Sequence, residues 1–226
     1  MNKIKRIDFH THSFFSDGVL LPSELLRRVS ALGYEALAIT DHVDASNMDF
    51  VLDGLLRLQR QQSEDFATKL VVGVELTHVA PESIDRLARR AKDCGAEIVV
   101  VHGETIVEPV APGTNEAAVT SSAVDILAHP GFLTLEEARA AVERDCFIEI
   151  TTRRGHSLTN GHVARICQRA GAKMLVNTDA HAPDDLVTVE FATQVARGAG
   201  LREQEILSAL YTNPHALLSR IGTGRT

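Results

Sequence analysis

No tryptophan occurs in the 226 residues, and cysteine is down to three. Cys94, Cys146 and Cys167 form no C-x-x-C pair and are odd in number, which excludes a disulfide framework and fits reduced thiols. Each falls in or beside an apolar pattern and reads as a small buried hydrophobe. No run approaches 18 apolar residues, and the opening MNKIKRIDFHTH has basic residues without an apolar stretch behind them. Neither a membrane span nor a secretory signal is expected, and the chain reads as cytoplasmic. Positive charge is short as well: 23 Lys and Arg stand against 30 Asp and Glu, a formal net charge of −7. That excludes a general basic coat for nucleic acid and a polybasic membrane patch, although a local basic strip stays open. Also missing are a G-x-G-x-x-G after the first strand and a G-x-x-x-x-G-K-[ST] anywhere, so nucleotide-binding open sheets lose their usual support. With 44% hydrophobic and 23% charged residues, the composition suits one domain over residues 1–226 that buries its apolar surface in a single core. What the chain has in excess is histidine, ten in all.

Short β-branched runs recur at residues 5–9, 36–40, 70–74, 98–101, 124–128, 146–150 and 174–177, giving seven expected strands. Between them lie helical patterns at 22–32, 50–66, 81–94, 135–144, 161–170 and 185–197, several with Pro near the start or Gly just past the end. Strands alternating with helices imply right-handed βαβ units and a parallel sheet. Residues 103–123 contain Pro109, Pro112 and Gly113, lack periodicity and are expected to form a long lid or substrate loop. Asn213 reads as the N-cap, and Pro214 as the first residue, of a last helix; the closing GTGRT is expected to fray.

The polar residues at the strand ends select the architecture. In order come His10 with His12, Asp41 with His42, Glu75, His102, His129, Arg153 with Arg154, and Asp179 with His181. A barrel of parallel strands opens all these C-terminal ends onto one face, where such enzymes keep their chemistry. An open sheet would concentrate them at one switch point. The expected fold is therefore α/β, a closed or nearly closed, TIM-barrel-like (β/α)7 barrel.

His10 and His12 are two apart on a strand and share a face, and Asp179-x-His181 repeats that period at the last strand. A lone histidine is usually a core or surface residue, but buried polar groups at several strand ends are costly unless paired or metal-bound. The inward set is His10, His12, Asp17, His42, Glu75, His102, His129, Asp179 and His181. Six imidazoles and three carboxylates exceed what one tetrahedral zinc uses. They suit two or three divalent ions, and mixed N/O ligation favours zinc, manganese or iron. Closely spaced ions would lower the pKa of a bridging water and stabilise both oxygens of an in-line displacement at phosphorus. For Asp17, an ordinary turn role in Ser16-Asp17-Gly18 competes with ligation.

The motifs IDFHTHSFFSDG, ITDH, GVE, VHGET, AHPG and NTDAH, in that order over residues 7–181, resemble those of the PHP (polymerase and histidinol phosphatase) superfamily. The resemblance implies a distorted (β/α)7 barrel carrying up to three metals at its C-terminal face, with phosphatases, other phosphoesterases, nucleases and proofreading domains as members. Carried over, His10, His12 and Asp179 match one metal position, and Asp17, His42 and His181 a second. Glu75 matches a carboxylate bridging to a third, whose other ligands are His102 and His129.

Softer candidates surround the nine. One of Arg153 and Arg154 is expected at the mouth as a phosphate clamp, and His156 as a substrate contact or proton donor. Glu104 and Glu108, in the long loop, could meet a cationic part of a substrate, and His78 could approach the mouth. Asp41 is expected to orient an imidazole from behind, while His162 and His215 read as structural. The expected activity is metal-dependent hydrolysis of a small phosphomonoester by a metal-bridged hydroxide. Alternatives are a phosphodiesterase or exonuclease acting on nucleic acid, a noncatalytic barrel subunit, and an amidohydrolase. The last often needs a metal-bridging lysine where this chain has His102.

Overall fold

The computed structural model describes residues 5–62 and 65–222. Among them eight parallel strand segments occur: β1 (Ile7–Asp8), β2 (Ala36–Ile39), β3 (His42–Val43), β4 (Lys69–Leu76), β5 (Ile98–His102), β6 (Ile126–Ala128), β7 (Phe147–Thr151) and β8 (Met174–Asn177). β2 and β3 are two halves of one stave, because Ala36 to Ile39 pair with Lys69 to Val72 and His42 and Val43 pair with Glu75 and Leu76, all on β4. Seven staves thus run in the order β1-β2-β4-β5-β6-β7-β8. They form the nearly closed, distorted (β/α)7 barrel that the alternating pattern predicts. The helices are α1 (Pro22–Ala31), α2 (Met48–Gln62), α3 (Ile84–Asp93), α4 (Thr114–Thr120), α5 (Leu135–Arg144), α6 (Asn160–Ala170), α7 (Val189–Gly198), α8 (Glu203–Leu207) and α9 (Asn213–Gly222). No helix among the described residues is long and apolar enough to cross a membrane.

Local sequence explains the regular elements. In α1 the fixed φ of Pro22 suits the first turn, and Pro22, Leu25, Leu26 and Val29 are buried at helical spacing. α5 opens with a capping box, Glu137 N donating to Thr134 Oγ1 (3.2 Å) and Thr134 N to Glu137 Oε2 (2.7 Å). On β4, Leu70, Val72 and Val74 join the core between barrel and helices, while Val71 joins an inner core with Ile7, Phe9, Ala36, Ala38 and Val100. The period of two therefore points Glu75 inward, above that inner core. Leu217 of α9 packs into the same inner cluster. Each large aliphatic side chain so buried contributes about 1.5–3 kcal/mol.

The seam between β1 and β8 is closed mainly by side chains. One parallel bridge joins Thr11 to Ala180, with His12 N donating to Ala180 O (2.8 Å) and Asp179 N to His10 O (2.9 Å). Below it, Asn177 Oδ1 accepts from Phe9 N (3.1 Å), and Asp8 Oδ1 accepts from His10 N (3.3 Å) and Thr178 N (3.2 Å). Buried Arg6 donates to Asp8 Oδ2 (3.0 Å) and Val176 O (3.2 Å).

Several expectations need correction. The long loop contains α4, which Glu104 caps by accepting from Gly113 N (2.9 Å) and Asn115 N (3.0 Å). Asn213 is not an N-cap: α8, a π turn at Ser208–Thr212 and α9 run on continuously, and its Nδ2 donates to Met174 O (2.8 Å). Cys94 is exposed, while Cys146 and Cys167 are buried as predicted. The expected end of the second helix passes through residues 63 and 64, which lie outside the described residues, as does all of GTGRT beyond Gly222.

Candidate metal centre

The barrel mouth gathers all nine side chains of the predicted set. His10 and His12 extend from β1, with ring centroids 5.1 Å apart. His42 begins β3, Glu75 sits near the end of β4 and His102 ends β5. His129 follows β6 out of step with inner-core Ile126 and Ala128, and its backbone adopts a φ of 26°, in the left-handed region that L residues seldom use. Asp179 after β8 has a φ of 54°. Two such backbones beside each other are the kind of strain that clusters at functional sites.

The polar atoms converge. His10 Nε2 lies 3.2 Å from Glu75 Oε1 and His12 Nε2 3.2 Å from Asp179 Oδ1. His42 Nδ1 lies 2.6 Å from Glu75 Oε2, and Asp17 Oδ1 lies 3.5 Å from His42 Nε2 and 3.2 Å from His181 Nε2. His129 Nε2 is 3.7 Å from both Glu75 Oε1 and Asp179 Oδ2. These side chains form compact ligand-type groups: His12, Asp17, His42 and His181; His10, His12 and Asp179; Glu75, His102 and His129. His10 Nε2, both nitrogens of His12, both of His129 and Glu75 Oε1 are buried without a hydrogen bond. Unpaired buried polar atoms cost several kcal/mol each. So many of them facing one another fit divalent ions of the zinc, manganese or iron type.

Protonation in the metal-free protein reflects the same crowding. Burial and the neighbouring His42 hold His12 down to about 3. Burial works against the charged form of His42 too, but Glu75 and Asp17 outweigh it and raise the imidazole to about 8. Burial would raise Asp17, yet His181 and His42 pull it down to about 2. His10 is raised well above the ordinary range because Glu149, Glu75 and Asp179 overcome its burial.

The softer candidates separate. Arg153 lines the mouth, with Nε 3.7 Å from Asp179 Oδ2 and Nη1 3.4 Å from Asp185 Oδ2. Arg154 is exposed and outside the lining, and the carboxylate of Glu104 is taken up in capping α4 rather than facing a substrate. His156 is buried and bonds Asp179 Oδ2 through Nδ1 (3.0 Å). Asp41 does not orient an imidazole: it accepts from Ser13 N, Ser13 Oγ and Ser16 Oγ and so shapes the turn that carries Asp17. Sequence reasoning missed Glu149, fully buried on β7, whose Oε2 lies 2.8 Å from His10 Nδ1 and 3.0 Å from Asn177 Nδ2. The signal was there, an acid at an inward position of the apolar strand FIEIT. His162 donates to Leu133 O (2.8 Å) and His215 to Tyr211 O (2.8 Å), structural roles as predicted.

Comparison with known proteins now decides the family. A model described as the PHP domain matches residues 8–107. The chain belongs to the PHP family. An uncharacterized protein of Methanocaldococcus jannaschii is 52% identical over 217 residues, spanning 96% of this chain and 100% of that one. Ribonuclease P protein component 3 of Methanosarcina barkeri is 25% identical, spanning 97% and 91%. Among solved structures, histidinol phosphate phosphatase of Lactococcus lactis, complexed with zinc, L-histidinol and phosphate, superposes with a TM-score of 0.59 at 16% identity, over 87% of this PHP chain and 93% of that chain. PHP-type proteins are metal-dependent hydrolases as a family, and the clusters at this mouth are able to hold metal ions.

Proposed function

We propose that this PHP protein is a metal-dependent phosphoesterase that hydrolyses a small phosphomonoester with two or three zinc, manganese or iron ions. The observation that carries the reading is the set of buried, unbonded imidazole nitrogens and carboxylate oxygens beneath a pocket of about 460 Å³ that Arg153 also lines. His10, His12, Asp17, His42, Glu75, His102, His129, Asp179 and His181 would hold the ions. When bound, such ions lower the pKa of water and draw charge from phosphoryl oxygens.

The chain's own side chains supply the rest. The guanidinium of Arg153 offers a bidentate fork to phosphoryl oxygens, and it is kept at the mouth by its bond to Asp179 O (3.2 Å). His156, tied through Nδ1 to Asp179, lines the same mouth and lies within reach of a bound substrate. The pocket volume suits a small ester better than a polymer. The likeness to a ribonuclease P component motivates the second reading, action on or binding to nucleic acid.

The test is a screen of zinc- and manganese-loaded protein against phosphomonoesters, phosphodiesters and single-stranded DNA and RNA. Release of inorganic phosphate from at least one monoester, lost in His10→Ala together with metal, is expected. Shortening of oligonucleotides without monoester hydrolysis would move the assignment to an exonuclease. No hydrolysis of any ester, with RNA retained, would make the barrel a noncatalytic subunit.

A further inference from the structure

Glu108 stands on the loop between β5 and α4, outside the nine predicted ligands, and three imidazoles converge on its carboxylate. Its Oε2 lies 3.1 Å from His102 Nε2 and 3.4 Å from His78 Nε2, and its Oε1 lies 3.1 Å from His156 Nε2. His78 reaches this position with a left-handed backbone, φ 52°, its ring 5.3 Å from that of His102. The three imidazoles come from three different stave ends, following β4, ending β5 and following β7.

The chemistry of these contacts asks for a positive charge between them. His102 Nδ1 is bonded to Gly103 O at 3.2 Å, an acceptor, so that nitrogen carries the proton. The Nε2 of a neutral imidazole is then a bare lone pair. It faces a carboxylate oxygen, itself acceptor-only, at 3.1 Å. His156 repeats the problem: Nδ1 faces Asp179 Oδ2 at 3.0 Å and Nε2 faces Glu108 Oε1 at 3.1 Å. Two acceptors this close repel unless a proton or a metal ion lies between. Separations of 3.1–3.4 Å match the gap of about 3.3 Å between neighbouring ligand atoms that share one tetrahedral zinc at metal–nitrogen distances near 2.0–2.1 Å.

We infer that Glu108 is a metal ligand, and that with His102 and His156, and His78 at their edge, it forms an outer station for a divalent cation of the zinc or manganese type, the same cation that His102 Nε2 serves. The inference rests on the metal-centre reading above and adds to it a ligand delivered by a loop. Glu108 is 38% exposed, so the station lies on the solvent side of the mouth. Filling it would pin the segment 103–113 over the pocket, and emptying it would release that segment.

The test uses the full chain loaded with zinc and dialysed, its metal counted by elemental analysis and its binding followed by calorimetric titration. Glu108→Ala and Glu108→Gln are each expected to hold one zinc fewer per chain than the wild type and to keep the rest. Hydrogen exchange in 103–113 is expected to slow on zinc addition in the wild type and not in either variant. Glu108→Gln keeps shape and hydrogen-bonding capacity but is a poor ligand. If it binds the wild-type number of ions with unchanged affinity, or if the loop ignores zinc, the cation between these groups is a proton and the station does not exist. His10→Ala serves as the reference. Should it lose no zinc while Glu108→Ala does, the inner site fails and the outer one stands; should the wild type bind no zinc, both fall.

Discussion

Glu149 shows how one buried side chain can set the chemistry of another. Its Oε2 engages His10 Nδ1 at 2.8 Å and is itself braced by Asn177 Nδ2, which commits the proton to Nδ1 and turns Nε2 toward Glu75 and Asp179. Carboxylates behind ligating imidazoles fix tautomer and orientation, and their loss typically weakens metal affinity by about 10–100-fold. We predict a loss of that size for Glu149→Ala and a smaller one for Glu149→Gln, read by zinc competition with a chromophoric chelator; wild-type affinity in Glu149→Ala would refute it. A second prediction concerns pH. His42 in the metal-free protein is raised from its ordinary 6.5 to about 8, and His10 and His156 are raised as well. The contribution of His42 to stability is therefore complete below pH 6.5 and is lost as the pH climbs through about 8, and His10 and His156 act in the same direction. His12, lowered to about 3, adds no slope above pH 6.5. Metal reverses the sign, because ligation requires neutral imidazoles and improves as protons leave. Urea midpoints at pH 6.5 and 8 should fall with chelator present and rise with zinc, and Asp17→Asn should flatten the metal-free decline.

Among the elements, strands were easier to read than caps. The run 174–177 coincides with β8, and 98–101 and 146–150 miss β5 and β7 by about a residue, because β-branched residues at period two, bounded by polar ends, leave little choice. α4 escaped notice because TNEAAVT is short and its start depends on Glu104, nine residues before Gly113 and far outside any local capping pattern. The same contact explains why Glu104 fails as a substrate residue: a carboxylate accepting from two helical N–H groups is not turned toward a ligand. Glu104→Ala should cost about 0.5–2 kcal/mol, the usual worth of an N-terminal cap, with metal content unchanged; a melt and an elemental count check both halves. Most of the nine mouth residues were legible because they stand at or just beyond strand ends; His129, out of step with β6, and Asp17, carried by a turn, do not follow strand periodicity. Glu108 and Arg153 were less so, since loop conformation, which local pattern does not encode, decides where their side chains end. Asn213 misled because Asn-Pro is a strong start signal, here overridden by a helix already running and by the bond to Met174 O.

At the scale of the whole molecule, three divalent ions would nearly offset the formal charge of −7, so an acidic chain can present a positive pocket to an anion. The ions would also bridge the seam, since His10 and His12 leave β1 while Asp179 and His181 leave β8. Chelation should therefore speed amide exchange at Phe9, His12 and Asp179, whose N–H groups cross the seam, more than at Val99 or Val100 inside the β4–β5–β6 sheet. Equal acceleration everywhere would show that the ions do not act as a clasp. The seam has one more consequence, for the birth of the protein. The first and last staves are neighbours, so a chain emerging from the ribosome carries His10 and His12 long before Asp179 and His181 exist. Until the last stave arrives, those early imidazoles lack their partners across the gap, and an ion shared by His10, His12 and Asp179 would load only once the whole barrel had been made.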